Sequence, residues 1–274
     1  MKKINRRSFL AAAGLTAAAL ALTACGGSAS STASSTASSA ASSTSAAAEL
    51  TTVEAGKLTM ATNAAFPPYE MTTDAGEFEG IDIDTAKAIA EKLGLELQID
   101  DMDFDAALLS VQQGKADIVM AGVTVTDERK AVMDFSDSYA TGIQSIIVPE
   151  GSDITSPDDL AGKKIGTQRG TTGYIYCSDD FGDDAVVAYD DGLTAVQALN
   201  NGQVDAVVID NAPAKEFVAA NHGLVILDTS YAEEDYAIGL AKGSALEDAV
   251  NAALEELKAD GTLQSIVDKY ITAE

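Results

Sequence analysis

Beyond residue 50, short apolar runs alternate with longer amphipathic stretches, a pattern typical of an α/β protein. The apolar runs have the length of β-strands and are expected at 58–62, 95–99, 118–121, 164–167, 186–189, 206–209 and 236–241. Apolar residues at helical spacing predict helices at 81–93, 104–113, 245–258 and 263–270, and a further helix that begins at Pro157 after an N-cap at Ser156. Two prolines within residues 63–69 exclude a helix or a central strand there.

An internal repeat organises this pattern. Residues 109–119 and 198–207 each contain a helix end, a glycine, a short turn, an aspartate and an apolar strand, and the two copies are 88 residues apart. Five residues after the aspartate, the chain reaches Gly122 in the first copy and Asp210 in the second. Two α/β lobes that face each other at these strand ends would place a carboxylate opposite the region of Arg129.

The segment 116–130 carries the clearest binding chemistry. Its strand ends at Gly122, where no side chain shields the backbone N–H and C=O groups. Thr124 adds a hydroxyl, and the planar guanidinium of Arg129 can hold both oxygens of a carboxylate. These groups predict a site for a small anion at the carboxyl end of a strand. Arg129 could instead be one more charge on a solvated helix.

Charge and composition exclude several kinds of function. Removing a leading segment with four basic and no acidic residues leaves 13 basic and 43 acidic residues, so nucleic acid is not an expected partner. Cys177 is the only cysteine after Cys25 and His222 the only histidine, which excludes an internal disulfide and a Cys/His zinc site. A catalytic triad with a histidine base is also excluded unless His222 supplies that base. We expect no metal, no cofactor and no catalytic residues.

The first 49 residues predict export and attachment to a membrane. Residues 1–24 combine a basic start with a 16-residue apolar run and are expected to be a signal peptide. The run ends at Cys25, where Leu22-Thr-Ala-Cys25 resembles a bacterial lipobox, so Cys25 is the expected site of lipidation, including palmitate. Arg6 and Arg7 also resemble a twin-arginine signal, and both export routes stay open. Residues 25–49, rich in Ser and Ala, predict a flexible tether.

Two motifs carry a family resemblance that covers about residues 58–270. The segment Gly80-Ile-Asp-Ile-Asp84 resembles the helix-opening signature of extracytoplasmic solute-binding proteins that serve amino-acid ABC transporters (the polar amino acid family, family 3). Thr85 departs from it, since an apolar residue is usual there. Residues 122–129 match that family throughout.

The resemblance implies the fold and the activity. It implies an α/β, type II periplasmic-binding-protein-like fold with two lobes, 50–140 plus 237–274 and 141–236, joined by a two-strand hinge near 138–142 and 232–236. It also implies a receptor, not an enzyme, that captures a free amino acid by lobe closure and delivers it to the permease subunits. The expected location is the outer face of the cell membrane or the periplasm, as a lipid-anchored monomer. A sensor that acts in trans on a membrane partner is the alternative.

The resemblance further implies a ligand-binding set. In it, Arg129, Thr124 and the Thr171–Thr172 segment hold the α-carboxylate, Asp210 takes the α-ammonium with help from a backbone carbonyl near Ala121 or Gly122, and Phe66 and Phe104 sandwich the side chain. Asn63 and Gln168 would suit a polar or mid-sized ligand, and the identity of the amino acid stays open. Asp210 could instead cap the following helix, the two phenylalanines could fill the core, and Gln168 could lie on the surface.

Overall fold

The computed structural model describes residues 50–271 as a mixed α/β protein. The strands are β1 Lys57–Thr62, β2 Ala65–Phe66, β3 Glu70–Thr72, β4 Phe78–Glu79, β5 Glu96–Asp101, β6 Ile118–Val119, β7 Met133–Phe135, β8 Ala140–Pro149, β9 Ile165–Gln168, β10 Val186–Tyr189, β11 Ala206–Asp210, β12 Leu224–Ile226, β13 Ala232–Tyr236 and β14 Gly239–Ala241. The α-helices are α1 Ile81–Leu93, α2 Phe104–Gln112, α3 Asp127–Val132, α4 Thr172–Phe181, α5 Gly192–Asn200, α6 Asn211–Ala220, α7 Glu247–Ala259 and α8 Thr262–Tyr270. The predicted signal peptide, Cys25 and the tether lie outside the described residues.

Two large sheets form two lobes. The first has the order β5-β1-β6-β14-β7, in which β1 pairs in parallel with β5 and β6, and β14 runs antiparallel to its neighbours. Helices α1, α7 and α8 pack together beside it, and α2 contacts β1 and β14. The second sheet has the order β10-β9-β11-β8-β12, with β13 also paired to β8, and α4 and α5 pack against β9 and β11. The predicted two-lobed α/β fold class is confirmed.

The internal repeat is visible in both lobes. The end of α2 leads through Gly114 to β6, and the end of α5 leads through Gly202 to β11; these glycines have φ of 65° and 68°. Asp117 accepts hydrogen bonds from the backbone N–H groups of Val53 and Thr59, both at 2.8 Å. Asp205 accepts one from the N–H of Lys164, also at 2.8 Å. In each copy the aspartate therefore ties its strand to the start of a neighbouring strand.

The chain crosses between the sheets twice, from β7 into β8 and from β13 into β14. The prediction of a single strand over 236–241 is wrong. Tyr236 ends β13, opposite Ala140 of β8, and a new strand on the first sheet begins at Gly239. The apolar pattern misses β13 because its inward-facing positions include Glu234, which alternates with exposed Glu233 and Asp235. The lobe boundaries at 140 and 236 stay predictions.

Smaller differences concern element ends. The helix at Pro157 is one 3-10 turn, Pro157–Leu160, capped by a reciprocal pair of hydrogen bonds between Ser156 and Asp159. Strand β6 ends at Val119 instead of residue 121, although the Met120 N–H still donates to the Ala61 carbonyl of β1 at 3.2 Å. Within residues 50–271, no helix combines the length and the apolar character that a bilayer span requires.

Candidate ligand-binding site

The two equivalent strand ends, after β6 and at the end of β11, face one cavity between the lobes. It encloses about 430 Å³ of empty space, part of it open to solvent. All eleven residues that the sequence predicted as ligand contacts line it: Asn63, Phe66, Phe104, Ala121, Gly122, Thr124, Arg129, Gln168, Thr171, Thr172 and Asp210. Four residues that were not predicted also line it: Glu70, Gln144, Val208 and Ile209. Their roles toward a ligand stay predictions.

Arg129 is the cationic group of the cavity. It lies in the short helix α3, whose N-cap Thr126 accepts a hydrogen bond from the Arg129 backbone N–H. Its side chain is not on a solvated surface, because only 8% of the residue is exposed. Nη1 donates to the carbonyl of Thr124 at 2.8 Å, and Nη2 donates across the cleft to the carbonyl of Gly170 at 3.2 Å. The guanidinium also lies 5.3 Å from the ring centre of Phe104.

The charge of this guanidinium is not matched by an adjacent carboxylate in the described part of the chain. Among residues 50–271, no carboxylate forms an ion pair with Arg129, and burial lowers its pKa. A buried cation without a counterion is costly unless something supplies the missing negative charge. Three of its five N–H groups are free of the hydrogen bonds described above, so it can still accept a carboxylate.

Gly122 lets the chain pass close to the aromatic wall. Its φ is 55°, and a Cβ there would lie 2.9 Å from Cε1 of Phe66, so only glycine fits without a shift. Its N–H is already used, because it donates to Asp82 Oδ2 at 3.0 Å. This loop therefore cannot use the Gly122 N–H to bind a ligand anion.

Asp210 is the acidic group opposite Arg129. Its Oδ2 accepts from Nε2 of Gln144 at 2.8 Å, and its Oδ1 accepts from the hydroxyl of Tyr236. The alternative that Asp210 caps α6 is wrong for its side chain, which makes no capping hydrogen bond. Burial raises its pKa to about 7, although the bonds from Tyr236 and Gln144 act in the opposite direction.

Polar side chains also bridge the cleft near the aromatic walls. Nε2 of Gln168 donates to Oδ1 of Asn63 in the other lobe at 2.8 Å, and Nδ2 of Asn63 donates to the Met102 carbonyl. Gln168 is therefore not a surface residue, since only 5% of it is exposed. Thr171 caps α4 by accepting from the N–H of Tyr174. Phe66 and Phe104 belong to the core clusters and to the cavity wall at once.

Glu70 is the most unusual residue that the sequence reasoning missed. It is fully buried in β3 and lines the cavity, and neither carboxyl oxygen has a hydrogen-bond donor among the described residues. It directly follows Pro67-Pro68-Tyr69 in the loop that also carries Asn63 and Phe66. A single acidic residue in this otherwise uncharged segment could have indicated that Glu70 belongs to the site.

Glu70 faces the carboxyl group of Asp82. A hydrogen bond between these two carboxyls would need a proton on one of them, since two carboxylates have only acceptors. Burial raises the pKa of Glu70 well above its ordinary range, and the charge of Asp82 adds to this. Burial also raises the pKa of Asp82 to about 6, although Oδ2 of Asp82 accepts from the N–H of Gly122 and from the hydroxyl of Tyr139.

These carboxyls make stability depend on pH. We expect the ligand-free protein to become more stable as the pH falls from 8 to 5. The pKa values of Asp210 and Asp82, about 7 and about 6 when folded, exceed their ordinary value of 3.8. The folded state thus binds more protons than the unfolded state, and the penalty for burying charge, complete above pH 7, fades below it. At about 1.4 kcal/mol per pKa unit, a gain of a few kcal/mol is expected.

Urea unfolding at pH 8, 7, 6 and 5 measures this effect. The control is Asp210→Asn, which should flatten the profile between pH 8 and 6 because its amide does not titrate there. Parallel profiles for the wild-type protein and this variant would contradict the assignment of the raised pKa to Asp210.

Comparisons with known proteins identify the family of the chain. A model of the bacterial extracellular solute-binding proteins, family 3, matches residues 58–273. The chain is 33% identical over 279 residues to the probable histidine-binding protein of Neisseria gonorrhoeae, covering 99% of this chain and 98% of that protein. It is also 33% identical over 226 residues to the L-cystine-binding protein TcyJ of Escherichia coli (strain K12), covering 81% and 85%.

A solved structure is similar to this chain in both fold and sequence. The arginine-, lysine-, histidine-binding protein ArtJ from Geobacillus stearothermophilus superposes with a TM-score of 0.76 and is 34% identical, covering 80% of this chain and 96% of that one. Within residues 50–271, no group of acidic, histidine or cysteine side chains is arranged to hold a metal ion. The resemblance that the motifs suggested is confirmed: the chain belongs to the bacterial extracellular solute-binding proteins, family 3.

Proposed function

We propose that the protein is the extracytoplasmic receptor of an amino-acid ABC transporter and that its ligand is a basic amino acid. The receptor function predicted from the sequence agrees with the family and with its relatives, which are binding proteins rather than enzymes. The ligand class is the new step. It rests on one observation, the fully buried Glu70 in the cavity wall, whose two carboxyl oxygens have no donor among the described residues.

Charge counting favours a ligand with a cationic side chain. The cavity wall holds one cation, Arg129, and two acidic residues, Asp210 and Glu70. A neutral zwitterion would pair with Arg129 and Asp210 and would leave Glu70 protonated, because burial and the charge of Asp82 raise the pKa of this carboxyl. A basic amino acid brings a second positive charge, which supplies donors to Glu70 and completes the pairing. L-Cystine would instead bring a second carboxylate together with a second ammonium, so it adds no net positive charge.

The main-chain end of the ligand is assigned as the sequence suggested. Arg129 supplies the cationic clamp for the α-carboxylate, next to the N-terminus of α4 at Thr171 and Thr172, where backbone N–H groups and the helix dipole favour an anion. Asp210 accepts from the α-ammonium. Phe66 and Phe104 enclose the aliphatic part of the side chain, and Asn63 and Gln168 cover its polar end.

Two hydrogen bonds that cross the cleft support a mechanism in which the lobes close over the ligand. Arg129 donates to Gly170, and Gln168 donates to Asn63, each pair joining one lobe to the other. In the open form the ligand would contact mainly Arg129 and Phe66 of the first lobe. Closure adds the contacts with Asp210 and Gln168, and these additional contacts are what allow a ligand to drive it. The closed shape is then recognised by the permease.

The setting of the receptor completes the proposal. The protein is extracytoplasmic, as its family is. We propose that a lipid on Cys25 anchors it and that residues 25–49 act as the tether of a monomeric receptor. Such a tether allows the two lobes, which together comprise about 220 residues, to reach the permease while the protein stays at the membrane surface.

The ligand class is tested by thermal melts of the refolded protein with L-arginine, L-lysine, L-ornithine, L-histidine, L-glutamine and L-cystine. A ligand at 100 times its Kd should add roughly 2.7 kcal/mol of stability. We expect the largest shifts with the basic amino acids. Glu70→Gln should weaken L-arginine about 10- to 100-fold, the range for a hydrogen bond to a charged group, and should weaken L-glutamine much less.

The matched control is Glu77→Gln, an exposed acidic residue on the turn before β4, which should leave all affinities unchanged. A wild-type protein that prefers L-glutamine or L-cystine over every basic amino acid would reject the proposed ligand class. Equal losses of affinity for L-arginine and L-glutamine in Glu70→Gln would show that Glu70 does not discriminate between ligands by the charge of their side chains.

A further inference from the structure

Glu234 is a buried acidic residue that was not predicted as a ligand contact and does not line the cavity. It lies in the middle of β13, opposite Gly142 of β8, on one of the two connections between the lobes. Only 6% of it is exposed, whereas its neighbours Glu233 and Asp235 face solvent. An acidic residue buried at this position needs specific partners.

Three donors converge on one of its oxygens. Oε2 of Glu234 accepts from the hydroxyl of Thr172 at 3.0 Å, from the hydroxyl of Thr124 at 3.1 Å and from Nε2 of Gln144 at 3.0 Å. The two threonines belong to opposite lobes and line the cavity. The second oxygen, Oε1, is buried and has no partner within residues 50–271.

These bonds fix the direction of both hydroxyls. A threonine hydroxyl has one proton and two lone pairs, and a carboxylate can only accept. The two hydroxyls also lie 3.5 Å apart, a longer contact than the bond that each makes to Glu234. Thr124 and Thr172 therefore donate their protons to Glu234 and present only lone pairs to a ligand. Neither hydroxyl can then donate to the α-carboxylate, which leaves Arg129 and backbone N–H groups for that role. The sequence had allowed the Thr124 hydroxyl as a carboxylate donor, and this geometry reassigns it as an acceptor.

Glu234 is also connected to the acidic residue that faces the ligand. The Gln144 Nε2 group that donates to Glu234 donates to Oδ2 of Asp210 at 2.8 Å as well. One amide group thus serves two carboxyls, which together provide more acceptor sites than the described donors fill. The negative charge of Glu234 acts on both Asp210 and Arg129. An ammonium group placed at this end of the cavity would relieve the repulsion between the two acidic residues.

We propose that Glu234 is a positioning residue that selects the α-ammonium end of the ligand, by turning the hydroxyls of Thr124 and Thr172 into acceptors and by adding negative charge beside Asp210. The inference rests on the proposed function, since it requires an amino-acid ligand. It sets the orientation of the zwitterion in the cleft: the ammonium toward Glu234 and Asp210, and the carboxylate toward Arg129.

The test compares L-arginine with 5-guanidinopentanoic acid, which has the same side chain and carboxylate but no α-amino group. Titration calorimetry measures both affinities for the wild-type protein, Glu234→Gln and the exposed control Glu233→Gln. We expect Glu234→Gln to weaken L-arginine at least tenfold and the des-amino compound less than threefold. Glu233→Gln should change neither affinity.

A second variant, Thr124→Val, tests the same role of Glu234 if Glu234→Gln reduces stability. Thr124→Val removes one hydroxyl, and its loss of L-arginine affinity should not add fully to that of Glu234→Gln, because the two changes remove one shared interaction. Equal losses for both ligands in Glu234→Gln, or fully additive losses with Thr124→Val, would overturn the role of Glu234. Failure of the wild-type protein to bind L-arginine would instead reject the proposed ligand class, and the same comparison would then use L-glutamine and its des-amino analogue.

Discussion

Arg129→Met is expected to weaken amino-acid binding more than 100-fold. The variant keeps an unbranched apolar stem that can pack on Phe104 and removes the one cation that residues 50–271 contribute to the cavity wall. A ligand carboxylate would then be buried without a positive partner, a change that costs roughly 3–5 kcal/mol. Titration calorimetry with L-arginine measures the loss, and the same loss is expected for every amino acid that binds, because the α-carboxylate is common to all of them.

The same change should not destabilise the ligand-free protein. Arg129 has no ion pair among residues 50–271, so its removal takes a buried charge out of the interior at the loss of two bonds to backbone carbonyls and of the longer-range attraction of Glu234 and Asp210. The control is Arg169→Met, in the neighbouring loop, whose side chain is half exposed and pairs with Asp190. Unchanged affinity in Arg129→Met would contradict the carboxylate clamp. A large fall in its melting temperature would show that the residue is mainly structural.

Much of this site could be predicted because two sequence patterns point to the same place. The repeat at Gly114 and Gly202 fixes which strand ends correspond, and strand ends of parallel sheets are where ligands bind. The motif from Gly122 to Arg129 supplies the polar groups at one end and Asp210 supplies the carboxylate at the other. Apolar strand patterns and side-chain chemistry pointed to Gly122, Thr124, Arg129 and Asp210, because these residues lie at or soon after strand ends. The other predicted contacts, such as Phe66 and Gln168, came from the family resemblance.

The missed residues depend on strand register, which periodicity does not reveal. Gln144 reaches Asp210 because β8 pairs antiparallel with β11 so that these two residues lie opposite each other. Glu234 and Tyr236 enter the site because β13 pairs with β8. A polar residue on a buried strand face looks like a surface residue in the sequence, so the pattern that finds apolar strands overlooks these strands or misjudges their faces. Glu70 was missed for a related reason, since its strand has three residues and no periodicity to detect.

The two connections between the lobes are therefore part of the binding site and not only a hinge. β8 contributes Gln144, and β13 contributes Glu234 and Tyr236. Gln144 and Tyr236 both donate to Asp210, and Glu234 accepts from the same Gln144 amide. Asp210 belongs to the sheet of the second lobe but is held in place by the strands that lead to the first. A change in the angle between the lobes would alter these hydrogen bonds, so the ammonium acceptor and the hinge are expected to respond to each other.

Asp210→Ala is expected to weaken binding about 100-fold and to leave the liganded protein open. Asp210 accepts from the α-ammonium only when its lobe has closed over the ligand, so its carboxylate contributes to the closed form and not to the initial encounter. Truncating one partner of a buried charge pair costs about 2–5 kcal/mol. Because ligand drives closure only through contacts it gains there, losing this contact shifts the equilibrium toward the open form even at saturation.

Small-angle scattering with saturating L-arginine separates the two effects. The wild-type protein should become more compact on binding, and Asp210→Ala should keep the dimensions of its ligand-free state at a concentration that calorimetry shows to be saturating. Asp190→Ala removes an exposed carboxylate of the same lobe and should close as the wild-type protein does. A compact, saturated Asp210→Ala would mean that Gln168, Thr171 and Thr172 suffice to close the lobes. The role of Asp210 would then be limited to affinity, and the hinge strands would hold it only to keep its carboxylate in place.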